Sequence, residues 1–470
     1  MKDERRKSNV LSTNVYTSLI FNFSSLISSI KLCISSLLVL ITLQSFAQKE
    51  VRTYYDPQKT KLQELYFVDK RDPETYVGKY IRYYESGPVM VEGNFDDGEK
   101  DGTFTEYHEN ATLARRLNYV NGLRHGPVEV FDEDGKPIQK AYYQNDILTD
   151  SVKLYFASGI PRGETFFVKG KPDGVVKEYF PSGKIKKEMR YKKGKPNGAA
   201  MTFYEDGKIE TEGNYVDGVL KGSYKTYYAN GQLETIATME SGSKNGQYKT
   251  YDKEGHMVLE GSFLNGKLHG DNTGYFPTGA VQHKYQYKEN RKTGTNLDYF
   301  PSGKTRIREQ VAVNGIESTI TEYTEAGALV SEKHTRNDKP HGLWTIYHPD
   351  GKTPQTKETY LDGKLNGIRY TYYPGGKIKK EESIKFNLLA GPVKTYFEQG
   401  GLESSGEYRS NRRHGLFTTW FANSKMQEQG QYLGDKKQGP WKQFNEQGNL
   451  LRTLIFKAGN LVETRDEPQK

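Results

Sequence analysis

The chain has 470 residues, of which 34% are hydrophobic and 13% aromatic, and it contains 48 glycines and 35 tyrosines. This aromatic content excludes disorder along the chain, and the shortage of Leu, Ile and Val excludes a thick core, so a single-layer β structure is expected. The net charge is +9, but basic and acidic residues are mixed, which keeps a long sheet soluble and does not require nucleic acid as a partner.

The N-terminal segment is typical of a secretory signal. Lys31 precedes a mostly apolar run at residues 32–46, and residues 45–47 (SFA) form a small-x-small cleavage site. We therefore expect residues 1–47 to be a signal peptide with a long n-region, and the mature chain to be exported to the periplasm, the outer membrane or the medium. A retained membrane anchor is the alternative, but the run is shorter than the roughly 20 apolar residues that a span needs.

An aromatic residue then recurs every 24 positions, with one inserted residue before position 372. A glycine stands four positions later in fourteen of the sixteen cases, the exceptions being Ala111 and Ser424. A fixed period in this range indicates a repeat protein whose units bury their apolar surface against each other. The aromatic positions are Tyr83, Tyr107, Phe131, Tyr155, Tyr179, Phe203, Tyr227, Tyr251, Tyr275, Tyr299, Tyr323, Tyr347, Tyr372, Tyr396, Trp420 and Phe444.

Each repeat has the pattern of a β-hairpin. In residues 174–197 (GVVKEYFPSGKIKKEMRYKKGKPN), two short runs rich in β-branched and aromatic residues are separated by turn residues. Asn, Asp or His stands before the glycine that opens the next hairpin in nine of the sixteen units, as tight turns favour. The sequence therefore predicts an all-β fold in which about sixteen hairpins of 24 residues, over residues 78–463, form one elongated twisted antiparallel sheet or an open solenoid.

The two faces of this sheet follow from the positions within a repeat. With the opening glycine as zero, the recurring aromatic is at +5, position +2 is apolar in thirteen repeats, and +6 is aromatic in ten. Alternation along a strand puts +2 and +6 on one face and +5 on the other. Both faces are expected to carry rows of rings that pack across strands, at roughly 0.5–1.5 kcal/mol per pair beyond area burial.

The two ends of such a sheet present unpaired strands. Residues 48–77, with an apolar run at 65–68, are expected to form an N-terminal capping half-repeat. At the other end, residues 450–456 (LLRTLIF) are more apolar than the average second strand, and only the polar tail 464–470 follows the repeats. We expect this C-terminal edge to pair with a second copy of the chain, giving a homodimer, or with a partner.

The repeat resembles the MORN repeat in its longer bacterial variant. The segments 246–251 (GQYKTY) with 263–270 (FLNGKLHG), and 342–347 (GLWTIY) with 360–367 (YLDGKLNG), match its motif well. The resemblance covers residues 78–463 and implies an array of β-hairpins. Bacterial members are often labelled antitoxin-like, and other MORN arrays are linked to membranes, phospholipids, dimerisation and scaffolding. For an exported chain, an antitoxin role implies immunity outside the cytoplasm.

No arrangement of residues points to catalysis, a metal site or a cofactor. His125, His269, His341 and His414 precede turn glycines and so lie on different hairpins, whereas a metal site needs ligands that converge. The only cysteine, Cys33, lies in the signal segment, which leaves the rest of the chain without a thiolate ligand. The glycines follow the turn period and not the spacing of a phosphate loop. We expect no enzyme activity, no metal and no cofactor.

The densest basic stretch includes Lys184, Lys186, Lys187 and Arg190. Lysines on a solvated strand and turn, which discourage edge pairing, are the structural explanation. The functional interpretation is a docking patch for anionic lipid, lipopolysaccharide or an acidic protein, at about 1 kcal/mol per charge near such a surface.

All three tryptophans, Trp344, Trp420 and Trp441, lie in the last third of the chain, with Phe417 and Phe421 nearby. Aromatic residues at repeat positions are usually structural. The alternative is a ligand surface for a glycan or choline, because ring faces attract cations and sugar faces.

Together these features predict a non-catalytic, exported repeat protein that binds a protein or a cell-envelope component through its sheet. The alternatives are a scaffold whose copies associate at the sheet ends, a carbohydrate- or lipid-binding module, and an antitoxin or immunity partner of a toxin. An apolar stripe left exposed on one face would favour binding, whereas stripes wholly covered by neighbouring residues would favour the scaffold.

Overall fold

The computed structural model describes residues 48–468, which form 39 β-strands and no helix. The prediction of an all-β chain of tandem antiparallel hairpins is confirmed. The fold divides into two units, one that ends at Gly207 and one that begins at Lys208. The predicted signal peptide, 1–47, lies outside the described residues.

The strands of the first unit are β1 (Gln48–Tyr54), β2 (Leu62–Asp69), β3 (Tyr76–Tyr83), β4 (Val89–Asp96), β5 (Glu99–Tyr107), β6 (Leu113–Val120), β7 (Leu123–Arg124), β8 (Gly126–Phe131), β9 (Pro137–Gln144), β10 (Ile147–Tyr155), β11 (Pro161–Val168), β12 (Lys171–Pro172), β13 (Gly174–Tyr179), β14 (Ile185–Lys192) and β15 (Lys195–Phe203).

The strands of the second unit are β16 (Ile209–Val216), β17 (Val219–Leu220), β18 (Gly222–Tyr227), β19 (Leu233–Glu240), β20 (Ser243–Tyr251), β21 (Met257–Leu264), β22 (Lys267–Tyr275), β23 (Val281–Lys288), β24 (Arg291–Tyr299), β25 (Thr305–Val311), β26 (Glu317–Tyr323), β27 (Leu329–Arg336), β28 (Lys339–Tyr347), β29 (Pro354–Leu361), β30 (Lys364–Leu365), β31 (Gly367–Tyr372), β32 (Ile378–Lys385), β33 (Leu388–Tyr396), β34 (Leu402–Arg409), β35 (Arg412–Trp420), β36 (Met426–Leu433), β37 (Lys436–Phe444), β38 (Leu450–Lys457) and β39 (Asn460–Asp466).

Each repeat is a hairpin, and its opening glycine makes a bulge against the preceding hairpin. In the pairing of β4 with β5, for example, the register shifts between Glu92 and Asn94, opposite the segment that holds Gly102. Gly102 has a φ of 78°, in the left-handed region that glycine adopts without strain. Asp150, which stands where one of these glycines is missing, also takes it, with a φ of 59°. The opening position therefore needs a residue that accepts a positive φ.

The turns that join consecutive repeats are tied to each other by main-chain hydrogen bonds. Gly122 N donates to Lys100 O at 2.9 Å, and Asn387 N donates to Leu365 O at 2.9 Å. The Asn387 side chain adds a second bond, because its Oδ1 accepts from Leu365 N at 2.7 Å. The N–H of each of these turns thus donates to the second residue after the preceding turn. The repeated bonds form a ladder along one side of each unit. We term this the turn ladder.

The recurring aromatic at +5 and the residue after it bind neighbouring repeats by hydrogen bonds as well as by packing. Tyr107 Oη donates to Glu92 Oε1 at 2.7 Å, and Tyr275 Oη donates to Glu260 Oε1 at 2.6 Å. At +6, Tyr84 Oη donates to Tyr107 O in the next repeat at 2.8 Å. The contact with Glu260 and burial raise the pKa of Tyr275 to about 12. Tyr84 and the carbonyl that it holds are 23 residues apart, so the bond links consecutive repeats.

The core lies along one face of the sheet, where the side chains at +2, +15 and +17 meet; we term this the inner face. Nine of the ten buried hydrophobic residues in the described part of the chain occupy these positions. Phe104, at 2% exposure, packs edge-to-face between Phe95 (5.5 Å) and Tyr119 (5.3 Å). Gly93 makes room for it, since a Cβ there would lie 2.6 Å from the Phe104 ring. Glycine at +15 of the preceding hairpin therefore makes room for the ring of Phe104, as it also does for Phe417 and Trp441.

The opposite, outer face carries positions +1, +3, +5, +14 and +16, and in the first unit it is strongly charged. Glu129 pairs with Arg116 at 3.0 Å and with Lys140 at 3.0 Å, and Lys153 pairs with Glu164 at 3.3 Å. These exposed pairs are worth little individually. Their charges alternate in sign across neighbouring strands, and they keep this face exposed to solvent.

The two ends are each closed by a polar strand. β1 pairs with β2, and β2 pairs with β3, which starts the repeats. At the other end β39 pairs with β38, so the apolar run 450–456 lies between two strands. β39 is exposed along its whole length and carries Glu463, Arg465 and Asp466. The strand therefore extends into the segment expected to be a tail, and the final edge is charged, which discourages pairing with other chains.

Candidate binding surface

The basic residues predicted as a patch are divided between the two faces of β14. Lys186 and Arg190 share a face, whereas Lys187 points to the other, because side chains alternate along a strand. Lys187 Nζ lies 3.4 Å from Glu178 Oε1, and Lys186 Nζ lies 5.8 Å from the centre of the Phe180 ring. Lys184 precedes the strand and is exposed. The structure does not gather these four residues on one surface.

The predicted aromatic residues also fall into two groups. Trp344, Phe417 and Trp441 stand at +2 on the inner face, and Trp441 is only 3% exposed. Its Nε1 donates to Gln431 O at 3.1 Å, and both Phe417 and Trp441 meet the ring of Tyr432, with ring centres 4.9 Å apart. These rings build the core. Trp420, at +5, belongs to the outer face.

Phe421 is the next residue along and follows the end of β35. Its main-chain N–H donates to Lys425 O at 2.8 Å. Phe421 therefore takes part in the turn of its own hairpin, and only Trp420 among the predicted aromatics lies on the outer face.

A line of exposed aliphatic side chains on the outer face was not predicted. Five consecutive repeats carry an apolar residue at +1, and all five residues are exposed, at 44% for Leu343, 43% for Ile368 and 50% for Leu416. Repeats are about 10 Å apart at roughly 4.8 Å per strand, so the line is about 40 Å long. We term it the aliphatic stripe. Its members are Leu343, Ile368, Pro392, Leu416 and Pro440.

Position +1 has no structural need for an aliphatic residue. In the five preceding repeats it is polar, with Ser223, Gln247, Asp271, Thr295 and Thr319. Where a threonine stands there, it bonds across the hairpin to +16. Thr295 Oγ1 donates to Gln310 Oε1 at 2.6 Å, and Thr319 Oγ1 lies 3.0 Å from His334 Nδ1. The change from polar to apolar at +1 is visible in the sequence, but only once the repeat frame and its exposed face are known.

The surroundings of the stripe are mostly uncharged. Leu416 pairs across its hairpin with Gln431, and Ile368 pairs with Ser383. Trp420 lies on the same strand and the same face as Leu416, four residues further along. The stripe and the +5 rings therefore share the outer face, where the +3 residues between them include Lys394 and Lys442.

Behind this surface, on the inner face, Glu382 is buried at 4% exposure. Arg369 Nε and Lys380 Nζ each lie 2.7 Å from its carboxylate, and Arg369 also approaches Glu358 at 3.8 Å. Burial by itself would raise the pKa of Glu382, but the two cations outweigh it and hold the pKa below its usual value. This cluster is a paired structural charge and not a proton donor.

The histidines and carboxylates make no common site. His125 Nδ1 lies 3.1 Å from Asn145 Oδ1, and His341 Nδ1 lies 3.2 Å from Asp362 Oδ1, each pair between neighbouring turns. Across residues 48–468, no three His, Cys, Asp or Glu side chains converge as metal ligands. Nor does any helix in that part of the chain have the length and apolarity to cross a membrane.

Solved structures with some likeness to this chain include the crystal structure of TcdB2-TccC3-Cdc42, with 11% identity over 88% of this chain and 26% of that chain, at a TM-score of 0.14. The Photorhabdus luminescens Tc holotoxin pore has 12% identity over 87% and 26%, also at 0.14. The crystal structure of TcdB2-TccC3 has 12% identity over 87% and 28%, at 0.14. The chain thus spans about a quarter of the length of these structures, and the likeness is too low to bear on function.

A family model matches some of the repeats. No curated protein matches the sequence. The model of the MORN repeat variant matches at six places along the chain, in both units, at residues 124–145, 172–193, 196–217, 220–240, 365–385 and 413–433. Each matched segment begins two residues before an opening glycine and covers one hairpin. These six segments are therefore similar to the MORN repeat variant.

Proposed function

We propose that this protein is a non-catalytic, exported binding module that holds a protein partner on the aliphatic stripe. The repeat family and the open β-sheet indicate a repeat-type binding module. The aliphatic stripe is the observation that supports the more specific proposal. Export rests on the signal-like sequence of residues 1–47, and mass spectrometry of the mature N-terminus would test it by finding Gln48 as the first residue.

The stripe favours binding because the fold does not need aliphatic residues at +1. A threonine at the same position is compatible with the sheet, as Thr295 and Thr319 show. Each exposed aliphatic side chain keeps its apolar surface in water, and burying such surface is worth about 25 cal/mol per Å². The part of the outer face from +1 to +5, which includes the stripe and the +5 rings, is about 40 Å long and five residues wide. At about 3.3 Å per residue it covers roughly 700 Å². That is close to the roughly 800 Å² that each partner buries in a standard protein interface.

A carbohydrate is the second candidate, because Trp420 and the neighbouring +5 ring of Tyr396 lie on the same outer face as the stripe. Ring faces stack on the apolar faces of sugars. An anionic lipid has less support, since the basic residues around Lys186 are divided between two faces. The scaffold and immunity roles stay predictions.

The test is a capture experiment with residues 48–470 as bait, on the envelope and secreted fractions of the host. In the test variant Leu343, Ile368 and Leu416 are all replaced by threonine, the residue that occupies +1 at Thr295 and Thr319. We expect at least a tenfold loss of the partner, because a central apolar contact in an interface is typically worth 1–2 kcal/mol.

The matched control replaces Val120, Ile147 and Val168 by threonine. These residues of the first unit are equally exposed, at 45%, 50% and 44%. The control should capture the partner as the parent does. Equal capture by the test variant would refute the proposal, and recovery of glycan alone, lost in a Trp420→Ala variant, would establish the second candidate.

A further inference from the structure

One turn of the second unit departs from the repeat pattern. β25 and β26 pair without a register shift, from Ile307↔Glu322 to Val311↔Ser318. The reason lies at the opening position, where Ser318 replaces glycine. Gly294 and Gly342, in the flanking repeats, have φ values of 59° and 79°, whereas Ser318 does not enter the left-handed region. The bulge is lost, and its residues pass into a longer turn at 312–316, which we term the irregular turn.

The irregular turn breaks the turn ladder. In the preceding turn, Asn290 N donates to Leu268 O at 3.0 Å, and Asn290 Oδ1 accepts from Leu268 N at 2.7 Å. The residue equivalent to Asn290 is Asn314, but its Oδ1 accepts from Ile316 N at 2.9 Å within its own turn. In the described chain, no hydrogen bond from the irregular turn reaches Lys292, the residue equivalent to Leu268.

Two exposed charged side chains, Arg291 and Asp338, lie beside this break. In a regular turn the acidic residue holds the preceding repeat, as Asp435 does by accepting from Arg413 N at 2.9 Å. Here Asn337 N donates to Ile316 O at 2.7 Å instead. The described residues offer no hydrogen bond or ion pair to the carboxylate of Asp338 or to the guanidinium of Arg291, and both are exposed.

These groups line a recess of about 480 Å³. Arg291 and Lys292 lie on one side, Glu317 and Asp338 on the other, and Glu309 holds the Lys292 ammonium at 3.0 Å. The recess thus presents a main-chain edge that the turn ladder leaves uncovered, with a free cation and a free anion near it.

We propose that this recess binds a peptide segment of a partner protein. One residue of an extended peptide presents its N–H and its C=O on the same side, and these can pair with the main chain of Lys292 in place of the missing turn bonds. An acidic side chain of the peptide pairs with Arg291 and a basic one with Asp338, which sets its direction. The inference goes beyond the proposed function, since Glu309 and Val311 place the recess on the inner face while the stripe lies on the outer face.

The probe is a displayed library of random heptapeptides, selected on residues 48–470 and then measured individually. The first variant carries Arg291→Gln and Asp338→Asn. We expect the selected peptides to contain both an acidic and a basic residue, and to bind this variant at least tenfold more weakly, because charge-assisted hydrogen bonds are lost. The matched control is Lys267→Gln with Glu289→Gln, one regular turn earlier, where the exposed pair lies 3.8 Å apart. It should bind as the parent does.

A second variant restores a regular turn and leaves Arg291 and Asp338 in place. In it residues 312–318 are replaced by the sequence of 288–294 (KENRKTG), which restores the opening glycine and, with it, the turn bonds to Lys292. The same peptides should lose at least tenfold in affinity. Binding as strong as that of the parent by either variant, or no selected peptide at all, overturns the proposal. Because the threonine variant of the stripe leaves the recess intact, loss of peptide binding and loss of partner capture are separate outcomes.

Discussion

The inner face of the second unit is built in two ways. In the C-terminal repeats (391–463) it is a row of rings, in which Tyr408, Phe417, Tyr432 and Trp441 meet edge-to-face. In the middle repeats (270–390) several of the same positions, although not that of Trp344, hold polar groups that are buried and paired. Asn296, at 1% exposure, accepts from Gln286 N at 2.9 Å and stands where the C-terminal repeats have a ring.

The difference teaches that the 24-residue frame specifies the main chain and not the chemistry of its core. Main-chain hydrogen bonds between the turns set the spacing in both regions. The inner face can then be packed with apolar side chains, as in the C-terminal repeats. It can also hold buried polar groups, provided that each has a hydrogen-bond or ion-pair partner, as in the middle repeats. The two regions should therefore respond differently to truncation and to pH.

The largest effect is expected from emptying the ring row. Trp441→Ala should lower the free energy of unfolding by about 4 kcal/mol, because it removes a fully buried ring and leaves a cavity. Urea unfolding followed by circular dichroism measures it. Trp420→Ala, on the outer face, is the control and should cost clearly less. Equal losses would mean that the inner face is not the core of the C-terminal repeats.

Breaking the buried ion cluster of the middle repeats should come next. Glu382→Gln should cost about 3 kcal/mol, since it leaves Arg369 and Lys380 without their shared carboxylate. The folded pKa of Glu382 is below its usual value. Its contribution is therefore present above the ordinary carboxyl pKa of about 4.3 and is lost as the pH falls through the folded value.

The pH dependence separates this cluster from an ordinary surface charge. The parent should lose stability on acidification from pH 6 towards pH 3 more steeply than Glu382→Gln does. Glu407→Gln, at an exposed position of the neighbouring hairpin, should follow the parent. A variant of Glu382 with the same acid profile as the parent would show that the carboxylate does not carry the linkage.

A smaller effect tests the fit between rings and glycines. Gly430→Ala places a Cβ 2.2 Å from the Trp441 ring, and such overpacking should cost about 2 kcal/mol. In a Trp441→Val background, which removes the ring, the same alanine should cost little. Gly375→Ala is the control, because it has no positive φ and no atom within 4 Å of its Cβ. Additive losses in the double variant would rule out the proposed contact.

The smallest effect on stability is expected at the aliphatic stripe. Leu343→Thr, Ile368→Thr and Leu416→Thr should each change the free energy of unfolding by less than about 0.5 kcal/mol, as for exposed strand positions. Loss of more than about 1 kcal/mol in thermal or urea unfolding would make the stripe a structural element, and its role in binding would then need another explanation.

Much of the fold could be predicted because a few residue types recur at fixed positions of the 24-residue repeat. The glycine spacing and the aromatic at +5 give the hairpins, the bulges and the +2 row. The candidate surface could not be predicted in the same way. Trp441 and Leu416 are both apolar residues at regular positions, and only their pairing partners separate a ring at 3% exposure from an aliphatic side chain at 50%. The tryptophans attracted attention by their rarity, while the stripe consists of common residues.

The periodic sequence alone determines that this chain is an all-β array of hairpins. Turn residues and rings at constant spacing make each repeat adopt the same main-chain conformation. Which side chains meet solvent was decided by the tertiary structure. A bulge at each opening glycine sets which residues face each other across strands, and Ser318, which cannot adopt that conformation without strain, removes one bulge. The recess beside Lys292 exists for that reason, and it depends on contacts between hairpins that the local pattern does not contain.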